Sequence, residues 1–213
     1  MKFILKSGLI ALLAASLGGC ALTDIANGPA PQLYMLTASS AVAASDSIVR
    51  SKSGILVDQL NANAALDTAR VAYQPVPNEL KYIAGARWVD LAPLMLQSLL
   101  VESLENSGRF ASVAARGSEI RGDFMVKGDM RQFAVVNVDG ETHVEIDLYL
   151  RLVSRENRQV IVARDFRRIV PVDGSGMTPI VAAFDVALGQ VLLDVTQWVV
   201  EGTNATAVVA QAE

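Results

Sequence analysis

The fold is decided by an alternation of apolar and polar residues near the middle of the chain, His143-Val144-Glu145-Ile146-Asp147-Leu148-Tyr149-Leu150-Arg151-Leu152. Successive side chains of a β-strand point to opposite faces, so this pattern predicts a strand with one buried and one wet face. An Asp139-Gly140 pair, typical of a tight hairpin turn, separates it from a second alternating run between Phe124 and Ala134. The region therefore predicts an antiparallel hairpin of two long strands.

Shorter strand-like runs lie around this hairpin, at 33–36, 54–57, 70–73 and 80–83. Alternation is lost at 160–163, which favours either a bulge or an element covered on both faces. Two apolar stripes at helical spacing predict helices. The first begins at Asp90 as its cap, has Pro93 in its first turn, runs to about Ser107 and is followed by Gly108. The second starts near Thr178 and Pro179 and ends at Gly202.

Together these elements predict an α+β domain at residues 55–202, in which a mostly antiparallel sheet packs in two layers against two amphipathic helices. Residues 203–213 carry no pattern and are expected to be a disordered tail.

The first nineteen residues have the composition of a secretory signal, with Lys2 and Lys6 ahead of a short apolar run. Leu17-Gly18-Gly19-Cys20 then resembles the bacterial lipobox, whose cysteine thiol takes a diacylglycerol and whose new amine is acylated, commonly by palmitate. Cys20 is the only cysteine, and several acyl chains make membrane anchoring durable. We expect a signal peptide at 1–19 and a lipidated tether with one short strand at 20–54; the alternative is an ordinary secretion signal that contains a cysteine.

Composition excludes several classes of protein. Loss of Lys2 and Lys6 with the signal would lower the formal charge by two, from −4 to −6, which argues against nucleic-acid binding. With Cys20 acylated, no thiol remains for a disulfide. No later stretch has 18 uninterrupted apolar residues, so we expect no transmembrane helix.

Catalytic and metal-binding patterns are not found in the sequence. The single histidine, His143, falls on the wet face of the alternating strand, together with Glu145 and Asp147. A triad or a carboxylate pair is the alternative to a solvated charged face, but no nucleophile elbow, zinc-ligand spacing or phosphate loop accompanies these residues. We expect no enzyme, no metal, and no cofactor beyond the acyl chains on Cys20.

Two groups of residues are candidates for contacts. Arg164, Arg167 and Arg168 form the densest positive cluster and would either dock an acidic partner or merely keep a strand edge solvated. Trp88 and Trp198 lie beside the helix ends, where they would either belong to the core or line a groove between helix and sheet.

Three stretches resemble the ABC-type transport auxiliary lipoproteins that accompany MCE-type lipid transporters. They are the lipobox followed by Leu33-Tyr34-Met35-Leu36, the Arg87-Trp88-Val89-Asp90 motif before the proline and leucine helix, and the helix from Ala182-Ala183-Phe184-Asp185 to Trp198-Val199-Val200. The resemblance implies a lipoprotein anchored in the outer membrane of a Gram-negative envelope, facing the periplasm, with an MCE protein and its ABC permease and ATPase as partners. Ala21 agrees with the outer membrane, because an aspartate after the cysteine would favour inner-membrane retention.

The leading hypothesis is a non-enzymatic auxiliary component that docks a lipid transporter at the outer membrane. The alternative is a periplasmic carrier that holds the acyl chain of a lipid ligand in the groove between helix and sheet. A homo-oligomer is compatible with either hypothesis.

Overall fold

The computed structural model of the protein describes residues 30–38 and 51–210, with side chains given up to residue 206. The predicted signal peptide, Cys20, most of the tether and the last three residues lie outside the described residues. The chain divides into two compact units, Met1–Gln32 and Leu33–Glu213, and nearly every element described below lies in the second unit.

The second unit is an α+β domain, which confirms the predicted fold class. The elements of the described residues are β1 (Gln32–Tyr34), β2 (Gly54–Val57), β3 (Asn61–Ala62), β4 (Arg70–Gln74), β5 (Lys81–Trp88), α1 (Ala92–Asn106), β6 (Ser112–Ala115), β7 (Phe124–Val138), β8 (Glu141–Ser154), β9 (Val160–Pro171) and α2 (Met177–Ala210). All nine strands belong to one sheet.

The predicted central hairpin is confirmed as β7 and β8, which pair antiparallel from Phe124–Ser154 to Val138–Glu141. Asp139 and Gly140 form its turn, with φ angles of 53° and 89° that suit an Asp-Gly pair. The apolar members of β8 are fully buried; they are Val144, Ile146, Leu148, Leu150 and Leu152. β9 continues the meander by pairing antiparallel with β8.

On its other edge, β7 pairs with three short strands in succession, and all three are parallel to it. β2 pairs with residues 124–126, β3 with 129–130 and β4 with 134–136. Most paired positions in the sheet lie in the antiparallel ladders, as predicted. The parallel pairs were not predicted, because an alternation pattern does not reveal the direction of the neighbouring strand.

Both helices pack on the same face of the sheet. α1 contacts β2 and β6, α2 contacts β8 and β9, and the two helices contact each other. Pro93 lies in the first turn of α1, and Gly108 follows its end with φ of 62°, as predicted. The predicted cap at Asp90 is wrong by one residue: Leu91 is the N-cap, and the Asp90 carboxylate accepts a hydrogen bond from the Leu91 N–H at 2.7 Å.

The second helix is longer than predicted, because it continues to Ala210 and does not end at Gly202. Gly202 is buried, and a Cβ at this position would lie 2.6 Å from Leu152 Cδ2. This glycine therefore permits a close approach of helix to sheet, and the tail predicted at 203–213 is helical over its described part. By length and composition α2 could cross a membrane, with mean hydropathy 1.5, but its buried face packs against β8 and β9, as in the core helix of a folded domain.

The apolar run at 160–163 is not covered on both faces, since Val160 is 54% exposed. The other alternative, a bulge, is confirmed: the register shifts between Leu152 and Val153, which pair with Val162 and Val160. This extra residue accounts for the lost alternation.

Candidate functional site

The three predicted docking arginines do not form one patch, because they alternate along β9. Arg167 lies on the face of the sheet opposite the helices, where its Nε donates to Glu145 at 2.6 Å. Arg168 lies on the helix-covered face and pairs with Asp194 of α2. Arg164 shares that face, and its guanidinium lies 5.3 Å from the Phe166 ring centroid. The structure thus separates the predicted cluster.

The two predicted groove residues lie inside the core. Trp88 is 1% exposed and packs edge-on against Phe184, with ring centroids 5.0 Å apart. Phe133 packs against both of these rings. Trp198 is 3% exposed and meets Phe166 at 5.4 Å. Aromatic side chains fill the space beside both tryptophans, which supports the core alternative over the groove at these positions.

The wet side chains of β8 form a charged surface with their neighbours on β7 and β9, here called the open face. Tyr149 is central: the guanidinium carbons of Arg131 and Arg151 each lie 4.5 Å from its ring centroid. Arg151 also pairs with Asp129 at 2.9 Å, and Arg131 pairs with Asp165. Partners across three strands thus neutralise most of these charges.

The candidate catalytic residues belong to this same face. His143 Nδ1 lies 3.2 Å from the Glu141 carbonyl oxygen, and Glu145 is held by Arg167. Asp147 differs, because its Oδ1 is buried without a hydrogen-bond partner among the described residues. Burial raises the pKa of the Asp147 carboxyl, and the nearby Arg131 opposes that shift. No group of three potential metal ligands occurs among the described residues.

A cleft of about 390 Å³ at one end of the open face was missed by the sequence reasoning. Its cationic lining residues are Arg116, Lys127, Arg155 and Arg158. They come from the end of β6, from β7 and from the β8–β9 turn, so no local run of basic residues marks them.

These features define a class of protein: an α+β body with an apolar core under two helices, a charged opposite face, and a sequence ahead of it that resembles a lipobox. The chain belongs to the family described as the ABC-type transport auxiliary lipoprotein component, whose family model matches residues 34–196. The resemblance found in the sequence is thereby confirmed. The family is described as a lipoprotein component of ABC-type transport, which indicates a membrane-anchored place in the cell envelope.

Individual proteins are similar to this chain in fold or in sequence. The crystal structure of protein XCC0632 from Xanthomonas campestris is similar, with a TM-score of 0.72 and 25% identity, over 84% of this chain and 97% of that one. A solved structure of an uncharacterized protein has a TM-score of 0.63 at 16% identity, over 80% of this chain and 99% of that one, which shows the shared fold alone. The uncharacterized protein bll6063 of Bradyrhizobium diazoefficiens is 31% identical over 147 residues, which cover 68% of this chain and 39% of that protein. The chain thus spans about two fifths of that relative's length.

Proposed function

We propose that the protein is a non-enzymatic auxiliary lipoprotein of an MCE-type lipid transport system, anchored through Cys20 in the outer membrane and docking the transporter there. The observation that carries the proposal is the family match over residues 34–196, which covers nearly the whole packed body. The family is described as a transport auxiliary component, so the body is expected to bind partner proteins and not to transform a substrate.

The tether sets how far the body reaches from the membrane. Cys20 is twelve Cα–Cα steps from the start of β1 at Gln32, with eleven residues between them. A fully extended chain of that length spans at most about 40 Å. Anchoring of this kind raises the local concentration of the body beside the bilayer, so a modest docking affinity suffices.

The first experiment tests the anchor. Cells expressing the parent, Cys20→Ser and Ala21→Asp proteins are grown with radiolabelled palmitate, and their membranes are then fractionated. We expect the parent to be labelled in the outer membrane and Cys20→Ser to be unlabelled. Ala21→Asp is the matched control: it keeps the acylated cysteine, so we expect it to be labelled but retained in the inner membrane. Label on Cys20→Ser would contradict the anchor.

The second experiment tests docking. A photo-crosslinking amino acid replaces Tyr149 on the open face in one strain, and in another replaces Leu193, which is exposed on α2. We expect irradiation to join at least one of the two sites to an MCE protein or its permease. A lack of any such adduct at either site, in cells with normal amounts of both proteins, would contradict transporter docking.

The lipid-carrier alternative is separated by solvent extraction of purified Cys20→Ser protein followed by mass spectrometry. The tightly packed rings around Trp88 lead us to expect no stoichiometric lipid held between helix and sheet. Stoichiometric lipid whose removal exposes Trp88 and Trp198 to a quencher would favour the carrier instead.

A further inference from the structure

The cleft at the end of the open face has an apolar floor built from three neighbouring strands. Leu56 of β2 lies opposite Met125 of β7, and Met125 lies opposite Val153 of β8. Side chains in register across adjacent strands lie on the same face of a sheet, so these three make a continuous apolar row. All three line the cleft.

Cations surround this row. The lining residues include Arg116, Lys127, Arg155 and Arg158 and no carboxylate. Arg116 pairs with Asp58 at 2.8 Å, which neutralises one of the four charges. No carboxylate oxygen of the described residues lies within ion-pairing distance of the other three. The cleft therefore carries an uncompensated positive charge in a chain whose net charge is −4.

Two contacts shape the cleft for an anion. Arg155 Nη1 donates to the Gly122 carbonyl oxygen at 2.9 Å, which fixes the position of one guanidinium at the rim. Lys127 lies directly opposite Arg151 in the β7–β8 ladder. Asp129 pairs with Arg151 at 2.9 Å, so this carboxylate is engaged by Arg151, and Lys127 keeps its charge for an anion.

The chemistry of the lining selects the ligand class. Arginine and lysine together favour phosphate, which arginine can bind through two parallel hydrogen bonds. An apolar floor between the cations suits the first carbons of an attached chain, and about 390 Å³ accommodates a small head group with a few methylenes. An acidic peptide could not extend the sheet here, because β2, β7 and β8 each have strands on both sides.

We propose that this cleft binds the phosphate head group of an anionic amphiphile, with its first methylenes on the row Leu56, Met125 and Val153. The proposal does not depend on transporter docking, because the cleft would bind such a ligand in the isolated lipoprotein.

The test is isothermal titration calorimetry of the full processed lipoprotein in a neutral maltoside detergent. The titrants are dihexanoyl phosphatidic acid, dihexanoyl phosphatidylcholine and inorganic phosphate, each also titrated into detergent alone. We expect phosphatidic acid to bind about tenfold or more tighter than either of the others, since both charge and apolar contact contribute.

The variant Lys127→Gln/Arg158→Gln removes two cations from the cleft, and Lys81→Gln/Arg87→Gln removes two from β5 as the matched control. Charge-assisted hydrogen bonds are among the stronger ones, so we expect the cleft variant to lose about tenfold or more of the phosphatidic acid affinity. The control should bind as the parent does. Met125→Gln should reduce the preference for phosphatidic acid over inorganic phosphate.

A second measurement needs no variant: raising the salt concentration should weaken phosphatidic acid binding by the parent protein. Equal affinity for phosphatidic acid and inorganic phosphate would overturn the amphiphile assignment. Equal affinity of the cleft variant and its control would overturn the site, as would displacement of phosphatidic acid by an equimolar oligoglutamate peptide.

Discussion

The two faces of strand β8 differ in how their side chains are satisfied. On the covered face, Ile146 and Leu148 are fully buried between the sheet and α2, close to the aromatic group of Trp88, Phe133 and Phe184. On the open face, Glu145, Asp147, Tyr149 and Arg151 are half-exposed and mostly paired with opposite charges or rings. Apolar burial stabilises by about 25 cal/mol per Å², whereas exposed ion pairs contribute about 0–1 kcal/mol each. The covered face therefore maintains the fold, and the open face is free to vary for contacts.

The largest expected effect comes from a substitution that disturbs both faces at once, Gly128→Ala in β7. A Cβ at Gly128 would lie 2.0 Å from the Tyr149 carbonyl oxygen, a backbone atom of the paired strand. The β7–β8 ladder must open to admit it, so we expect loss of about 4 kcal/mol or more in the free energy of unfolding, measured by urea denaturation.

Gly85→Ala is the control, because Gly85 has φ of 71° and nothing within 4 Å of its added Cβ. Only backbone strain opposes that change, at a cost of about 1–2 kcal/mol. If both variants were equally stable, the close strand approach at Gly128 would be ruled out.

Next in size is the contrast between Phe184→Ala on the covered face and Tyr149→Ala on the open face. Phe184 is fully buried against two rings, so its truncation should cost about 3–5 kcal/mol. Tyr149→Ala loses chiefly the contacts of the ring with Arg131 and with the half-exposed Arg151, worth about 1 kcal/mol. Thermal and urea unfolding measure the loss of stability in each variant. A Tyr149→Ala cost as large as that of Phe184→Ala would show that the open face is part of the structural core.

A smaller effect is expected for Gly202→Ala, where α2 approaches the sheet. The added methyl would meet Leu152 Cδ2 at 2.6 Å and Val162 Cγ1 at 3.1 Å, both ends of side chains that can shift. Overpacking costs about 1–3 kcal/mol, and the better helix propensity of alanine returns about 0.5–1 kcal/mol. We expect a net loss of about 1–2 kcal/mol. Hydrogen exchange provides the check on the helix itself: rapid exchange of the amides of 203–206 in the parent would contradict its continuation.

The smallest effect concerns the pH dependence of stability at Asp147. Its carboxyl pKa is raised in the folded state, so the folded protein binds the proton more tightly than the unfolded chain does. Stability is therefore lost as the pH rises from the ordinary aspartate value through the folded value, and the cost remains at neutral pH. Asp147→Asn should unfold at a higher temperature than the parent at pH 7, with the gain shrinking at pH 3.

Glu145→Gln is the control for that comparison, since it lies on the same face but loses an ion pair with Arg167. It should show no stabilisation at pH 7. A gain for Asp147→Asn that is the same at both pH values would exclude titration as its cause.

Much of the fold could be predicted because its signals are local. Alternation across β7 and β8, the Asp139-Gly140 turn and Gly108 after α1 each depend on neighbouring residues alone. One error and one omission arose where tertiary contacts decide the structure. Gly202 has the local signature of a helix end, but in the structure it permits α2 to pack closely against Leu152. The pairing of β2, β3 and β4 with β7 was not predicted, because it depends on long-range contacts.

The candidate sites were harder to predict, for the same reason. Arg164, Arg167 and Arg168 were predicted to form one cluster because they are close in sequence. A strand directs successive side chains to opposite faces, so Arg167 and Arg168 lie on different faces of the sheet. The cationic cleft gave no signal at all, because Arg116, Lys127 and Arg158 are far apart in the chain and meet only across strands. Cys20 lies outside the described residues, so its acylation stays a prediction.

The arrangement along β7 also has a consequence for biogenesis. Strands β2, β3 and β4 precede β7 by some sixty residues, and each is too short to persist alone. The turn at 139–140 connects β7 directly to β8, so these two strands can pair through contacts that are local in sequence. Contacts between distant segments form more slowly. A chain that emerges amino end first therefore presents β2, β3 and β4 before β7, the strand with which they pair, and their apolar side chains stay exposed during that interval.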